Sequence, residues 1–265
     1  MHATLDRCDT ERVFHDRQAA ERAKHFAKLR SELVFHDADY LDHETWIRPA
    51  MARLGDVKGK SILDYGCGHG MAATVLARCG ANVSAFDLSP GYIEEAKSRA
   101  MTNGVDVQFT VANGEKLPYS DESFHGIWGS AILHHLDLSI AGPELLRVLK
   151  PGGVAVFCEP WDGNRLLALA RKWLPYPGKH RTPDEQPLTD GMLDALRVLN
   201  VEMEIEPHQW LGMIGRIWRQ QRLQQALATV DRQLFRHFSF LKRQCRYVVV
   251  TMRKSEAPSI HGSHG

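Results

Sequence analysis

One glycine-rich run and three polar positions downstream of it carry the chemistry that this sequence advertises. In Asp64-Tyr65-Gly66-Cys67-Gly68-His69-Gly70 a carboxylate is followed by glycines at alternate positions. Such glycines let a backbone approach a ligand closely and permit positive φ in a tight turn. The charge on Asp64 would repel a pyrophosphate, but it can accept hydrogen bonds from an ammonium group, directly or through water. Asp87 lies 23 residues further on, close to the ~20-residue spacing at which an acid grips ribose hydroxyls. Asn113 and Gly114, in the stretch 112–118 with Glu115, offer an amide where an adenine would lie. Together these suit a ligand with an adenosine and an amino-acid end, and no phosphate.

Other reactive side chains carry two readings each. His134 and His135 invite a metal or general-base role, yet adjacent residues on a helix point in different directions. One is therefore read as structural and the other as lining a substrate mouth. Glu159 could orient a substrate hydroxyl or amine, or hold the loop at Trp161. Cys67 reads as a small filler of the glycine loop rather than a nucleophile. The stretch from Trp210 to Trp218 reads as core packing, against a membrane-surface or lid helix. The basic residues between Arg216 and Arg246 read as a solvated face, against a surface for an anionic substrate.

The elements that must position these residues follow an α/β rhythm. Apolar runs at 60–65, 82–86, 105–111, 126–130 and 154–158 read as strands, with helices at 71–78, 90–102 and about 140–149 between them. A turn is expected at Pro151-Gly152-Gly153. Helices at 190–199 and over most of 210–241 and strands at 201–206 and 246–252 complete the pattern. Before the first strand, helices are expected at 11–30, with Val13, Phe14, Ala20, Phe26 and Leu29 inward, and at 40–54. Strands alternating with helices imply parallel crossover units in a doubly wound sheet. The division expected is a helical cap over 1–56 and a main domain over 57–254. Insertions on its substrate side are expected at 161–188 and 208–243, and a disordered tail at 255–265.

Composition excludes several classes. With 43% hydrophobic and 25% charged residues the chain is an ordinary globular one. A net charge of +1 argues against a nucleic-acid footprint, which is normally strongly basic. Cys8, Cys67, Cys79, Cys158 and Cys245 are isolated, which fits free thiols in a reducing compartment and no structural zinc. No metal is expected. No apolar run approaches the roughly 18 residues that cross a bilayer, and the N-terminus lacks a signal-peptide pattern. A cytoplasmic protein is expected, as monomer or homodimer, with peripheral membrane contact left open.

From Gly59 to Pro160 the chain resembles the core of the class I S-adenosylmethionine-dependent methyltransferases, in the small-molecule group that includes quinone-biosynthesis enzymes. The matching strings are ILDYGCGHG, AFDLSPGYIEEAK, ANGEKLPYSDESFHGIW, SAILHHL and ELLRVLKPGGVAVFCEP. The resemblance implies a Rossmann-like seven-stranded sheet with its last strand antiparallel. It also implies S-adenosyl-L-methionine as cofactor and S-adenosyl-L-homocysteine as product. By the same analogy Gly66 and Gly68 face the methionine moiety, Asp87 takes the ribose hydroxyls and Leu88 packs on the adenine. Asn113 and Gly114 contact the adenine edge, and Ser130 lies under the cofactor. Tyr40, from the cap, reaches the methionine carboxylate, while His36 and His43 of the cap read as surface residues. Asp64, Cys67 and Glu115 complete the expected cofactor set. Two positions depart from the pattern, Asn113 and His125, where the family often has aspartate; the second is read as a support of the sheet edge. The expected activity is methyl transfer to oxygen or nitrogen of a small molecule, with His135, His134 or Glu159 handling a proton. A nicotinamide-dependent dehydrogenase and a non-catalytic cofactor-binding relative stand as alternatives.

Overall fold

The computed structural model describes residues 7–26, 30–163, 186–199, 201–211 and 221–256. Its seven strands are β1 (Ser61–Tyr65), β2 (Asn82–Asp87), β3 (Gln108–Val111), β4 (Phe124–Ser130), β5 (Leu149–Pro160), β6 (Val201–His208) and β7 (Tyr247–Lys254). They form one sheet in the order β3-β2-β1-β4-β5-β7-β6. The first five in that order run parallel, and β7 is antiparallel to both β5 and β6. The helices are α1 (Arg7–Phe26), α2 (Asp37–Leu41), α3 (Ile47–Ala52), α4 (Met71–Arg78), α5 (Pro90–Thr102), α6 (Leu138–Val148), α7 (Asp190–Arg197) and α8 (Gln221–His237).

Successive residues of a strand point to opposite faces, and the central strands are apolar on both. Leu63, Tyr65, Ile127 and Phe157 pack with α6, α7 and α8 through Leu145, Leu193 and Phe235. Ile62, Val83, Trp128 and Val156 pack with α3, α4 and α5 through Met51, Val75 and Ile93. Two cores sandwich the sheet, as parallel strands require. Strand order reverses between β1 and β4, so ligand space opens at their carboxyl ends.

Two local expectations give way. The turn expected at Pro151-Gly152-Gly153 lies inside β5, where the register against β4 jumps between Phe124 and Gly126. Gly152, at φ 72°, supplies the left-handed residue that the bulge needs. The expected inward face of α1 is met only in part: Phe14 and Phe26 are half-buried, and Leu29 lies outside the described residues. Val13 is 56% exposed and Ala20 is exposed, whereas Ala19 is buried against Gly91. Polar contacts hold the helix instead, and they set its rotation. The expected helix at 40–54 is divided into α2 and α3.

His125 does support the sheet: its Nδ1 accepts from the Ser61 amide at 3.1 Å and its Nε2 lies 3.1 Å from Lys150 Nζ. Most of the insertion at 161–188, the segment 212–220 with Trp218, and 257–265 of the tail lie outside the described residues. No described helix is long and apolar enough to cross a membrane.

Candidate functional site

A cavity of about 170 Å³ opens at the carboxyl ends of β1, β2, β3 and β4. Its floor and walls come from the loops that those strands feed. Gly66 and Gly68 enter from β1, Asp87 and Leu88 from β2, Asn113, Gly114 and Glu115 from β3, and Ser130 from β4. His135, in a short 3-10 turn at Leu133–His135, closes one side. The roof is α1, through Arg7, Cys8, Glu11 and His15, together with Tyr92 of α5.

The glycine loop is shaped by backbone conformation. Gly66 (φ 70°) and Gly68 (φ 49°) both lie in the left-handed region. A Cβ at Gly66 would stand 2.7 Å from Ile132, while one at Gly68 would meet nothing within 4 Å. Gly66 is therefore required by packing, and Gly68 leaves open space beside the backbone.

Asp87 sets the floor. Its Oδ2 accepts from the Gly68 amide at 2.8 Å and its Oδ1 from the Ser89 amide at 2.9 Å. Burial raises its pKa and these two donors oppose the rise. Each oxygen keeps a lone pair for a further donor. Asn113 Oδ1 accepts from the Glu115 amide at 2.9 Å, and its Nδ2 lies 3.7 Å from Cys8 Sγ. Glu115 ion-pairs with Arg7 and accepts from the Asp137 amide at 2.8 Å, tying the β3 loop to both the roof and α6. Tyr65 donates from its hydroxyl to the Gly114 carbonyl at 2.6 Å, pinning the same loop from below.

Five expected site residues stand outside the cavity lining. Asp64 is 2% exposed and accepts from the Ala73 amide in the first turn of α4, yet its Oδ2 has no hydrogen-bond partner. Burial pushes its pKa up to about 7. Tyr40 sits on the same face of the sheet, its hydroxyl accepting from Trp128 Nε1 at 2.9 Å. Burial, and then the charge of Asp64, raise the tyrosine pKa. Cys67 is buried in the glycine loop, and burial raises its thiol pKa as well.

Glu159 is fully buried at the end of β5 and turned inward. Its Oε1 accepts from the Ile132 and Leu133 amides at 2.9 and 3.0 Å, and its Oε2 lies 2.7 Å from His134 Nδ1. The pair holds the loop after β4, where Ala131 adopts a left-handed φ of 54°. Among the described residues its hydrogen bonds go to this loop and to His134. The His135 ring lies tilted against His134 with ring centroids 4.1 Å apart, and its own Nδ1 lies 3.2 Å from Glu11 Oε1. His15 meets the His135 ring edge-on at 6.0 Å.

Arg7, Glu11, His15 and Tyr92 escaped the reading of the sequence. Residues 8, 11 and 15 recur at helical spacing, so a polar stripe was there to be seen. An inward face was instead sought among apolar residues. Among the described residues no group of three or more His, Cys, Asp or Glu is placed to hold a metal ion.

Comparison with known proteins fits this geometry. A methyltransferase-domain family matches residues 63–157, which run from β1 into β5. The demethylmenaquinone methyltransferase of Clavibacter sepedonicus is 32% identical over 178 residues, covering 65% of this chain and 71% of its own length. That of Tropheryma whipplei (strain Twist) is 33% identical over 163 residues, covering 59% of this chain; the chain spans 66% of that relative's length. A solved S-adenosylmethionine-dependent methyltransferase from Mesorhizobium loti has the same fold, with a TM-score of 0.55 at 22% identity over 81% of this chain and all of that one. The sheet order, the cavity at its strand reversal and the identity across these relatives have one reading: the chain belongs to the class I S-adenosylmethionine-dependent methyltransferases.

Proposed function

We propose that the protein transfers a methyl group from S-adenosylmethionine to an oxygen or nitrogen of a small molecule, with His135 taking the acceptor's proton and Glu11 positioning His135. The pair formed by His135 Nδ1 and Glu11 Oε1 at 3.2 Å in the cavity wall carries this reading. With Glu11 ionised, Nδ1 bears the hydrogen and Nε2 is left to accept a proton. Such a base is needed when the acceptor is a hydroxyl or a protonated amine.

The residues present fit the cofactor. Asp87 would take the ribose hydroxyls on its two remaining lone pairs. Leu88 would pack on the adenine, with Asn113, Gly114 and Glu115 at its edge. Gly66 and Gly68 leave room for the methionine end, with Ser130 beneath. The unpartnered Oδ2 of buried Asp64 suits a neighbouring ammonium, with Tyr40 beside it. When bound, S-adenosylmethionine supplies an electrophilic methyl on a sulfonium. The chain's own part is to exclude water beneath α1 and to hold the acceptor atom in line. Glu159 and His134 position the loop that presents Ser130 and His135.

Product profiling with labelled cofactor tests the acceptor, and a label on oxygen or nitrogen supports the proposal. A demethylmenaquinone-type acceptor is the second reading, favoured by the names of the two relatives; a label on a quinone ring carbon would select it. His135→Gln should lower kcat by ~10²-fold or more while calorimetric affinity for S-adenosylhomocysteine holds. Glu11→Gln should lower kcat more mildly, because it loosens the orientation of His135 and leaves Nε2 in place. Unchanged kcat in His135→Gln would remove the base from the mechanism.

A further inference from the structure

The end of α8 and the 3-10 turn after it, Ser239–Gln244, form an exposed corner on the side of the sheet that carries α6 and α7. Phe238 and Phe240 are 48% and 62% exposed, and their rings meet edge to face at 6.1 Å. Arg232 and Arg236 precede them on α8, and Lys242 and Arg243 follow on the 3-10 turn, all exposed. None of the four ion-pairs with a carboxylate among the described residues. The acid within this stretch, Asp231, is buried and accepts from the Trp210 and Leu211 amides. Within residues 232–243 four cations thus have no carboxylate partner among the described residues, in a chain whose net charge is only +1.

The corner is also anchored to the core. Phe235, Leu241 and Cys245 are buried on either side of the aromatic pair and fasten the turn to the core. Two exposed phenylalanines flanked in the chain by exposed cations match an interfacial surface, where rings enter the headgroup boundary and cations meet anionic lipid. A protein partner would need a concave acidic receptor. A membrane needs only exposed cations beside exposed apolar rings, which is what stands here.

We propose that this corner docks the protein on an anionic membrane surface. Each Lys or Arg at such a surface strengthens partitioning by about fivefold, and the two rings add apolar burial that salt does not screen. The test is co-sedimentation of the full chain with phosphatidylcholine vesicles, with and without phosphatidylglycerol, at low and high salt. Binding should require phosphatidylglycerol and weaken as salt rises. Phe238→Ser/Phe240→Ser should bind at least ~10-fold more weakly. Arg236→Glu/Lys242→Glu/Arg243→Glu should fall by ~100-fold and lose the lipid preference. Both variants alter exposed side chains, so their melting temperatures and S-adenosylhomocysteine affinities should match the wild type. Equal binding to neutral and anionic vesicles, undiminished binding in either variant, or self-association that the phenylalanine variant abolishes without vesicle binding, would overturn the proposal.

Discussion

The two glycines of the cofactor loop differ in what a methyl group would meet, and that difference separates stability from binding. Alanine at Gly66 would collide with Ile132 and force a left-handed residue. Alanine at Gly68 carries only the left-handed cost of roughly 1–2 kcal/mol, with its methyl in open space. Gly66→Ala should therefore lower the melting temperature markedly. Gly68→Ala should melt closer to the wild type but lose S-adenosylhomocysteine affinity by calorimetry. Equal melting temperatures for the two would contradict the packing role of Gly66.

Asp64 makes a second residue-scale prediction. Its pKa in the folded chain is about 7 against an ordinary 3.8, because burial disfavours the carboxylate. Between those values the folded state holds a proton that the unfolded state has released. Stability without ligand should accordingly fall as pH rises from about 4 to about 7. Asp64→Asn should flatten that slope and weaken cofactor binding. Cofactor binding to the wild type near pH 6.5 should release a proton, read by calorimetry in buffers of different ionisation enthalpy. No proton release, with a pH-independent melting temperature, would mean that the carboxylate is ionised throughout.

At the scale of elements, one carboxylate ties the roof of the cavity to both α5 and the glycine loop. Glu95 of α5 accepts from Arg22 Nε and Nη2 on α1 at 2.9 and 2.7 Å, and from Arg99 Nη2 at 2.8 Å. Arg99 in turn donates to the His69 carbonyl at 2.9 Å, so the same cluster grips the glycine loop. Asp16 of α1 accepts from the Ser89 hydroxyl and the Gly91 amide at the start of α5. Removing Glu95 strands the buried Arg99 guanidinium, and breaking such a pair costs about 3–5 kcal/mol. Glu95→Ala should lower the melting temperature, speed proteolytic cleavage within α1 and weaken cofactor binding together. Arg22→Ala leaves the Arg99–Glu95 pair intact, so it should loosen α1 with a smaller loss of global stability. The helix itself was visible in the sequence as a run of good helix formers. Its orientation was not, because a face fixed by ion pairs leaves no apolar stripe to count. Tyr40 was named from the sequence, but its hydroxyl partner was not, because Trp128 is 88 residues away.

For the whole molecule, the sheet was the most legible part. Strands buried on both faces read as continuous apolar runs bounded by glycine and aspartate, and β1, β2 and β4 begin and end within two residues of expectation. The wall loops were legible because a phosphate-free nucleoside site leaves fixed polar residues at strand ends. The substrate side carries no comparable signature, since shape rather than any one residue type selects an acceptor. That asymmetry sets the last prediction. A ligand that binds only the folded chain stabilises it by RT ln(1 + [L]/Kd), about 2.7 kcal/mol at a hundredfold excess over Kd. For a domain of this size each kcal/mol moves the midpoint by roughly 2–4 °C. S-adenosylhomocysteine at that excess should therefore raise the melting temperature by about 5–10 °C. NADH should leave it unchanged at pH 8, above the Asp64 pKa of about 7, where the Asp64 carboxylate joins Asp87 in opposing a pyrophosphate at the glycine loop. An NADH shift as large as that of S-adenosylhomocysteine would show that the carboxylates do not discriminate against phosphate.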